Sequence, residues 1–161
     1  MIEVTVQQLG LDRTSNSPVV ILREKEGTRV LPIWIGPAEA SAIAMELQGL
    51  KPARPMTHDL LKTVITGLGA SVRRILISSL KDKTYFAELW LAREDHLFQL
   101  DARPSDSIAL ALRVQAPIFT DDGLLEQALE DGTSPDPDTA AQQLRAWLER
   151  MDPQDFGKFQ P

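Results

Sequence analysis

Arg103-Pro104-Ser105-Asp106-Ser107-Ile108-Ala109-Leu110-Ala111 restates, at an offset of 67 (104 minus 37), the grammar of Gly36-Pro37-Ala38-Glu39-Ala40-Ser41-Ala42-Ile43-Ala44. In each stretch a proline suits the first helical position, an acid stands two residues later and alanines of high helix propensity alternate. The first predicts a helix from Gly36-Pro37 to about Gln48, ended by Gly49, with an apolar stripe of Ile43, Leu47 and Leu50. The second predicts a helix from Arg103-Pro104 to about Val114.

Three strand-like runs precede each helix: Ile2 to Leu9, Pro18 to Arg23 and Arg29 to Ile35, then Val72 to Leu80, Tyr85 to Ala92 and Leu97 to Leu100. The expected fold is therefore α+β: two β3-α units, an internal duplication in its simplest account, with mixed, largely antiparallel strands and a helical C-terminal extension. Between the units, Lys51-Pro52-Ala53-Arg54-Pro55 cannot be helical, and Thr57 is expected to cap a helix over His58 to Leu68. A last strand at Pro117-Ile118-Phe119 and a short helix from Asp121 to Glu130 follow. Asp131 to Pro137 reads as a linker, and Leu144, Trp147, Leu148 and Met151 as an amphipathic stripe at helical spacing.

With 161 residues, 43% hydrophobic and 25% charged, the chain suits one domain with an appended piece. No apolar run approaches the ~20 residues of a membrane helix, and the strand-like start lacks the pattern of a secretory signal, so a cytoplasmic protein is expected. The absence of cysteine excludes disulfides, thiol nucleophiles and zinc-thiolate sites, and two histidines leave any metal to oxygen ligands. The net charge of −6 is uneven: residues 1–120 carry +1 and residues 121–161 carry −7, so the acidity lies in the tail. Nucleic acid is neither implied nor excluded by charge.

Three segments, Leu31-Pro32-Ile33-Trp34-Ile35-Gly36-Pro37-Ala38-Glu39-Ala40, Arg54-Pro55-Met56-Thr57-His58-Asp59-Leu60 and Asp101-Ala102-Arg103-Pro104-Ser105-Asp106-Ser107-Ile108-Ala109-Leu110-Ala111, resemble the bifunctional nuclease domain family. The resemblance spans roughly residues 1 to 120 in order, and the tail from Trp147 to Phe156 is similar to the C-terminal extension of bacterial members. It implies a compact α/β fold, a homodimer and nuclease activity on RNA and DNA, without a catalytic mechanism that carries over residue by residue. The expected division is a nuclease-like domain over residues 1–131 and an acidic linker with a helical extension over residues 132–161.

Each candidate site residue has a functional and a structural reading. Glu39 and Asp106 could hold Mg2+ or Mn2+ against a phosphate, or could meet the positive ends of their helices as third helical residues. His58 could act as general acid or base and Asp59 beside it could assist, or Asp59 could complement the helix dipole while His58 packs at a loop corner. Arg54 and Arg103, each beside a proline, are the candidate substrate-phosphate contacts; Arg103 could equally enter an ion-pair network with Asp101 and Asp106. His96 reads as a solvated turn residue, Trp34 and Trp90 as core or interface residues. The function expected is a metal-assisted nuclease acting on DNA and RNA phosphodiesters. The alternative is a noncatalytic ligand-binding or regulatory interaction module on the same fold.

Overall fold

The computed structural model describes residues 1–131 and, beyond them, Ala146. The linker, the Leu144 to Met151 stripe and the Asp152 to Gly157 segment lie outside the described residues. The elements run β1 (Ile2–Asp12), β2 (Ser17–Glu24), β3 (Val30–Trp34), α1 (Pro37–Leu47), α2 (Thr57–Gly67), β4 (Ser71–Lys81), β5 (Thr84–Arg93), β6 (His96–Ala102), α3 (Pro104–Val114), β7 (Ile118–Thr120) and α4 (Asp122–Glu130). Both β3-α units are present, and α2 is an added helix between them.

All seven strands form one sheet in the order β3-β2-β1-β7-β4-β5-β6. Every neighbouring pair is antiparallel except β4 with β7, which is parallel. From the short β7 outward, each half shows the first, second and third strand of its meander. β7 is therefore the seam that joins the two β3-α units into one sheet.

Register carries the core across that seam. Val4 pairs with Ile118, Ile118 with Ile75, Ile75 with Leu89, and Leu89 with Leu100. Opposite residues in a ladder share a face, so this row forms a continuous apolar ridge. Ile43 and Ala40 of α1 and Ile108 and Ala109 of α3 belong to the same buried cluster. In β1 the register shifts between Val6 and Gln8, so that Val6 stays opposite Leu22 and Leu9 opposite Val20, both on the core side.

The differences from the sequence reading lie at the ends. β1 continues to Asp12, because β2 pairs with it as far as Ser17 around a turn whose Asn16 has φ 54. β6 is longer than Leu97 to Leu100, and His96 is its first residue, paired with Arg93, rather than a turn residue; its side chain is exposed, as expected. Leu47 and Leu50 do not extend a buried stripe on α1; they are exposed, and Ala40 to Met45 are buried on all sides instead. Trp34 is 38% exposed on the edge strand β3, its Nε1 donating to Asp12 Oδ2 at 2.8 Å. Trp90 lies half-buried under the Arg74 guanidinium, 4.8 Å from its ring centroid.

Candidate functional site

Two identical local solutions create the site. Pro37 and Pro104 open α1 and α3, which places Glu39 and Asp106 as the third residue of each helix. α1 and α3 pack against each other, so the two acids meet at one corner. Arg103, the residue before α3, reaches between them: its Nη2 lies 2.9 Å from Glu39 Oε1 and 3.1 Å from Asp106 Oδ1, and its Nε donates to Asp106 Oδ2 at 2.7 Å. The fork matches the carboxylate of Asp106 with two nearly parallel bonds. Gly36 keeps this corner open, because a Cβ there would collide with Glu39 Oε2.

α2 supplies the fourth group. His58 Nε2 lies 3.0 Å from the same Asp106 Oδ1, with the histidine buried. Burial opposes charge on Asp106, but hydrogen bonds donated by Arg103 and His58 outweigh it and hold the carboxyl below the usual aspartate range. Arg103 is pushed the other way, first by its bond to Asp106 and then by Glu39. At pH 7 the corner holds the ionised Asp106 carboxylate against a guanidinium whose side chain is 65% exposed.

Asp59, although adjacent in sequence to His58, turns away from this corner. Its Oδ2 accepts from the Met56 backbone N–H at 2.9 Å and its Oδ1 from Arg113 Nε at 2.7 Å. Met56, not Thr57, is therefore the N-cap position of α2, and Thr57 is its first helical residue. A carboxylate at the third position satisfies the orphan N–H that a threonine cap would have left to another partner. Burial pushes the Asp59 carboxyl up, and the Met56 and Arg113 bonds more than reverse it, leaving it below the ordinary range.

Arg113 has no place in the sequence reading. Its side chain, only 6% exposed, donates to Asp59 of α2, to the Ala109 carbonyl of α3 at 2.8 Å and to the Ala42 carbonyl of α1 at 3.1 Å. One guanidinium thus ties three helices. The signal available was a lone cation in the last turn of an otherwise apolar helix, which reads equally as a surface residue complementing the helix dipole.

The structure therefore brings Glu39, His58, Arg103 and Asp106 together, sets Asp59 on the other side of the first turn of α2, and leaves Arg54 apart in the loop before it. Asp101 pairs across β6 with Glu88 in the strand register and makes no bond to Arg103. Among the described residues, no group of three or more His, Asp or Glu side chains converges as a metal cluster. Glu39 and Asp106 offer the hard oxygen donors that Mg2+ takes, commonly one or two carboxylates completed by water and substrate phosphate. In this arrangement the cation between them is Arg103.

The fold and this corner define a mixed α+β protein, built from two strand-rich units each followed by a helix, with a charged cluster at the joined starts of its helices. The chain belongs to the bifunctional nuclease domain family, whose domain it matches over residues 20–131. An uncharacterized protein of Mycobacterium tuberculosis strain H37Rv is 40% identical over 162 residues, covering 96% of this chain and 97% of the relative. Bifunctional nuclease 1 of Arabidopsis thaliana is 28% identical over 105 residues, covering 63% of this chain and 32% of the relative. Bifunctional nuclease 1 of Oryza sativa subsp. japonica is 26% identical over 110 residues, covering 66% and 33%. The chain spans about a third of each plant protein.

Proposed function

We propose that this protein cleaves phosphodiesters of RNA and DNA at the corner formed by Glu39, His58, Arg103 and Asp106. The observation that carries the reading is Arg103: a cation held in place by two carboxylates, yet mostly exposed, beside a histidine on the same aspartate. The nuclease names of the plant relatives support it. The two non-bridging oxygens of a phosphodiester offer Arg103 the same bidentate geometry as Asp106, so an incoming strand competes for the guanidinium. Asp106 orients the His58 ring through Nε2, which leaves the other ring nitrogen, Nδ1, as the atom that takes up or gives a proton to the attacking water or the leaving oxygen. Glu39 and Asp106 are the residues that would hold Mg2+ or Mn2+, which when bound polarises a phosphoryl oxygen and lowers the pKa of a bound water.

A second reading, a noncatalytic ligand-binding or regulatory module, is favoured by one observation: every charged group of the corner already has a partner within it. The two readings separate in one experiment. Labelled single-stranded RNA and DNA are incubated with wild type, Asp106→Asn and His58→Ala, purified identically, with Mg2+, Mn2+ or EDTA. The nuclease reading expects turnover to fall at least ~100-fold in each variant, about 2.7 kcal/mol of barrier. The Asp106→Asn protein should melt within a few degrees of wild type, corresponding to roughly 1 kcal/mol for a partly exposed pair. Equal turnover in EDTA removes the metal from the mechanism. Cleavage no greater than a mock purification leaves the binding module.

The proposal includes a homodimer formed through β6. Among the described residues this edge strand has one paired side, and its Leu97, Phe98 and Leu100 are all exposed. An open apolar edge is a template for a further strand, and a twofold partner supplies one.

A further inference from the structure

A cavity of about 400 Å3 opens on the far side of the first turn of α2 from the corner. Asp59 lines it while its neighbour His58 faces Asp106, so the two spaces are one residue apart along the helix. Volumes of this size suit small polar ligands with an apolar body.

The charge lining the cavity is unbalanced. Lys51, Arg54, Lys62 and Arg113 meet only Glu46 and Asp59 as acids. Asp59 is already matched by Arg113. Lys62 donates to the Arg113 carbonyl at 3.0 Å, which fixes its ammonium at the wall without neutralising it. Among the described residues, Lys51 and Arg54 have no ion-pair or hydrogen-bond partner. The other wall is apolar: Leu50, Pro52 and Pro55 come from the same loop, where the prolines limit backbone freedom and hold the two unpartnered cations at the rim. Pre-placed cations beside a rigid apolar wall match a nucleotide, with its phosphate on one side and its base and sugar on the other.

We infer that this cavity is a nucleotide subsite for a single-stranded nucleic acid, with Arg54 and Lys51 on a phosphate and Leu50, Pro52 and Pro55 against the base and sugar, flanking the cleavage corner. This rests on the nuclease reading for the identity of the strand, and on the cavity alone for the phosphate. It also gives Arg54 a role separate from the corner: holding the strand in register rather than contacting the reacting phosphate. The acids present set a limit on the ligand. Glu46 lines the cavity with no ion-pair partner among the described residues, so a group of high negative charge such as a triphosphate is disfavoured against a single diester.

The test uses a fluorescein-labelled single-stranded DNA hexanucleotide with phosphorothioate linkages, read by fluorescence anisotropy across a salt series. The proteins are wild type and the double variant Lys51→Gln, Arg54→Gln. Neither residue has a partner to lose, so the variant is expected to fold, and its melt is measured alongside. The double variant should bind at least ~10-fold more weakly. The slope of log K against log salt should shrink by about 0.7, the counterion release of the one single-strand phosphate that the two cations share. Adenosine monophosphate should displace the probe where adenosine does not. An unchanged affinity and salt slope in the double variant, or equal displacement by adenosine, overturns the subsite. If wild type binds the probe through these residues but cleaves nothing, the subsite stands and the nuclease reading fails. If wild type cleaves and the variant matches it in KM and probe affinity, the subsite fails and the nuclease reading stands.

Discussion

Replacing Arg113 with methionine keeps an unbranched apolar stem of similar reach and removes the guanidinium, so it isolates the three-helix tie. Three bonds are lost, to Asp59 Oδ1, the Ala109 carbonyl and the Ala42 carbonyl, at 2.7, 2.8 and 3.1 Å. Breaking a buried ion pair by removing one partner costs about 3–5 kcal/mol, because the remaining charge stays desolvated. Asp59 is 28% exposed and keeps its Met56 N–H, which places the expected loss at the lower end, near ~3 kcal/mol. For a domain of this size that corresponds to a fall of roughly 9 °C in Tm. Thermal and urea unfolding followed by circular dichroism measure both quantities. The double variant Arg113→Met, Asp59→Asn should recover part of the loss, since the stranded charge is then gone, with a coupling of about 2 kcal/mol. A single-variant loss below ~1 kcal/mol, or costs that simply add, would show that the helices hold together without this junction.

Asp59 and Asp106 both sit below the ordinary aspartate value of 3.8 in the folded protein, so folding favours their charged forms. Their contribution to stability is complete above that value and is lost as pH falls below it through the depressed folded values; the urea midpoint should hold from neutral pH down to about 5 and drop below about 4. The drop should be smaller in Arg113→Met, and an identical profile would separate Asp59 from the acid transition. Gly36→Ala should lower turnover more than stability: its backbone, at φ −76 and ψ 161, accepts alanine, but the Cβ displaces the Glu39 carboxylate from Arg103. Cleavage equal to wild type would show that Glu39 is not needed at the corner. Light scattering should report a dimer at tens of micromolar, a rough range for association stronger than about −6 kcal/mol. Leu97→Lys, Phe98→Glu on β6 should yield a monomer, and a wild-type monomer would remove β6 as an interface.

The fold was legible where one residue type does one job. Proline at the first helical position and an acid two residues later placed the starts of α1 and α3 to the residue, because the missing N–H and the helix dipole act locally. It was less legible where burial decides. β6 has six consecutive exposed residues and so no alternation to read, and its ends emerged only from pairing with β5. The stripe of Ile43, Leu47 and Leu50 failed on α1 for the converse reason: the helix is buried all round in its middle and bare at its end. In the site, Arg103 with Asp106 is a three-residue spacing and could be proposed from sequence. The His58 to Asp106 contact joins residues 48 apart at the start of α3, and Arg113 to Asp59 joins residues 54 apart at its end. No local rule separates adjacent His58 and Asp59 into two different networks; their positions on the α2 surface do.

That separation lets one set of helices hold its shape while a charged corner exchanges partners, as the proposed function requires. α3 carries an arginine at each end. Arg103 is mostly exposed and bonds only carboxylates, Glu39 of α1 and Asp106 of α3. Arg113 is buried and bonds one carboxylate and two backbone carbonyls. A phosphate can replace a carboxylate on Arg103 with little change in geometry, whereas Arg113, only 6% exposed, spends two of its bonds on backbone carbonyls that an anion does not replace. If a strand draws Arg103 away, α1 remains tied to α3 through Ala42 and α2 through Asp59, and His58 keeps its place beside Asp106 because the turn that carries it is anchored from the other side. The partners of the exposed arginine are thus exchangeable and those of the buried one are not. It follows that substitutions at Arg103 should act on substrate affinity and turnover, those at Arg113 on the melt, and that the two sets should combine additively, since they share no partner.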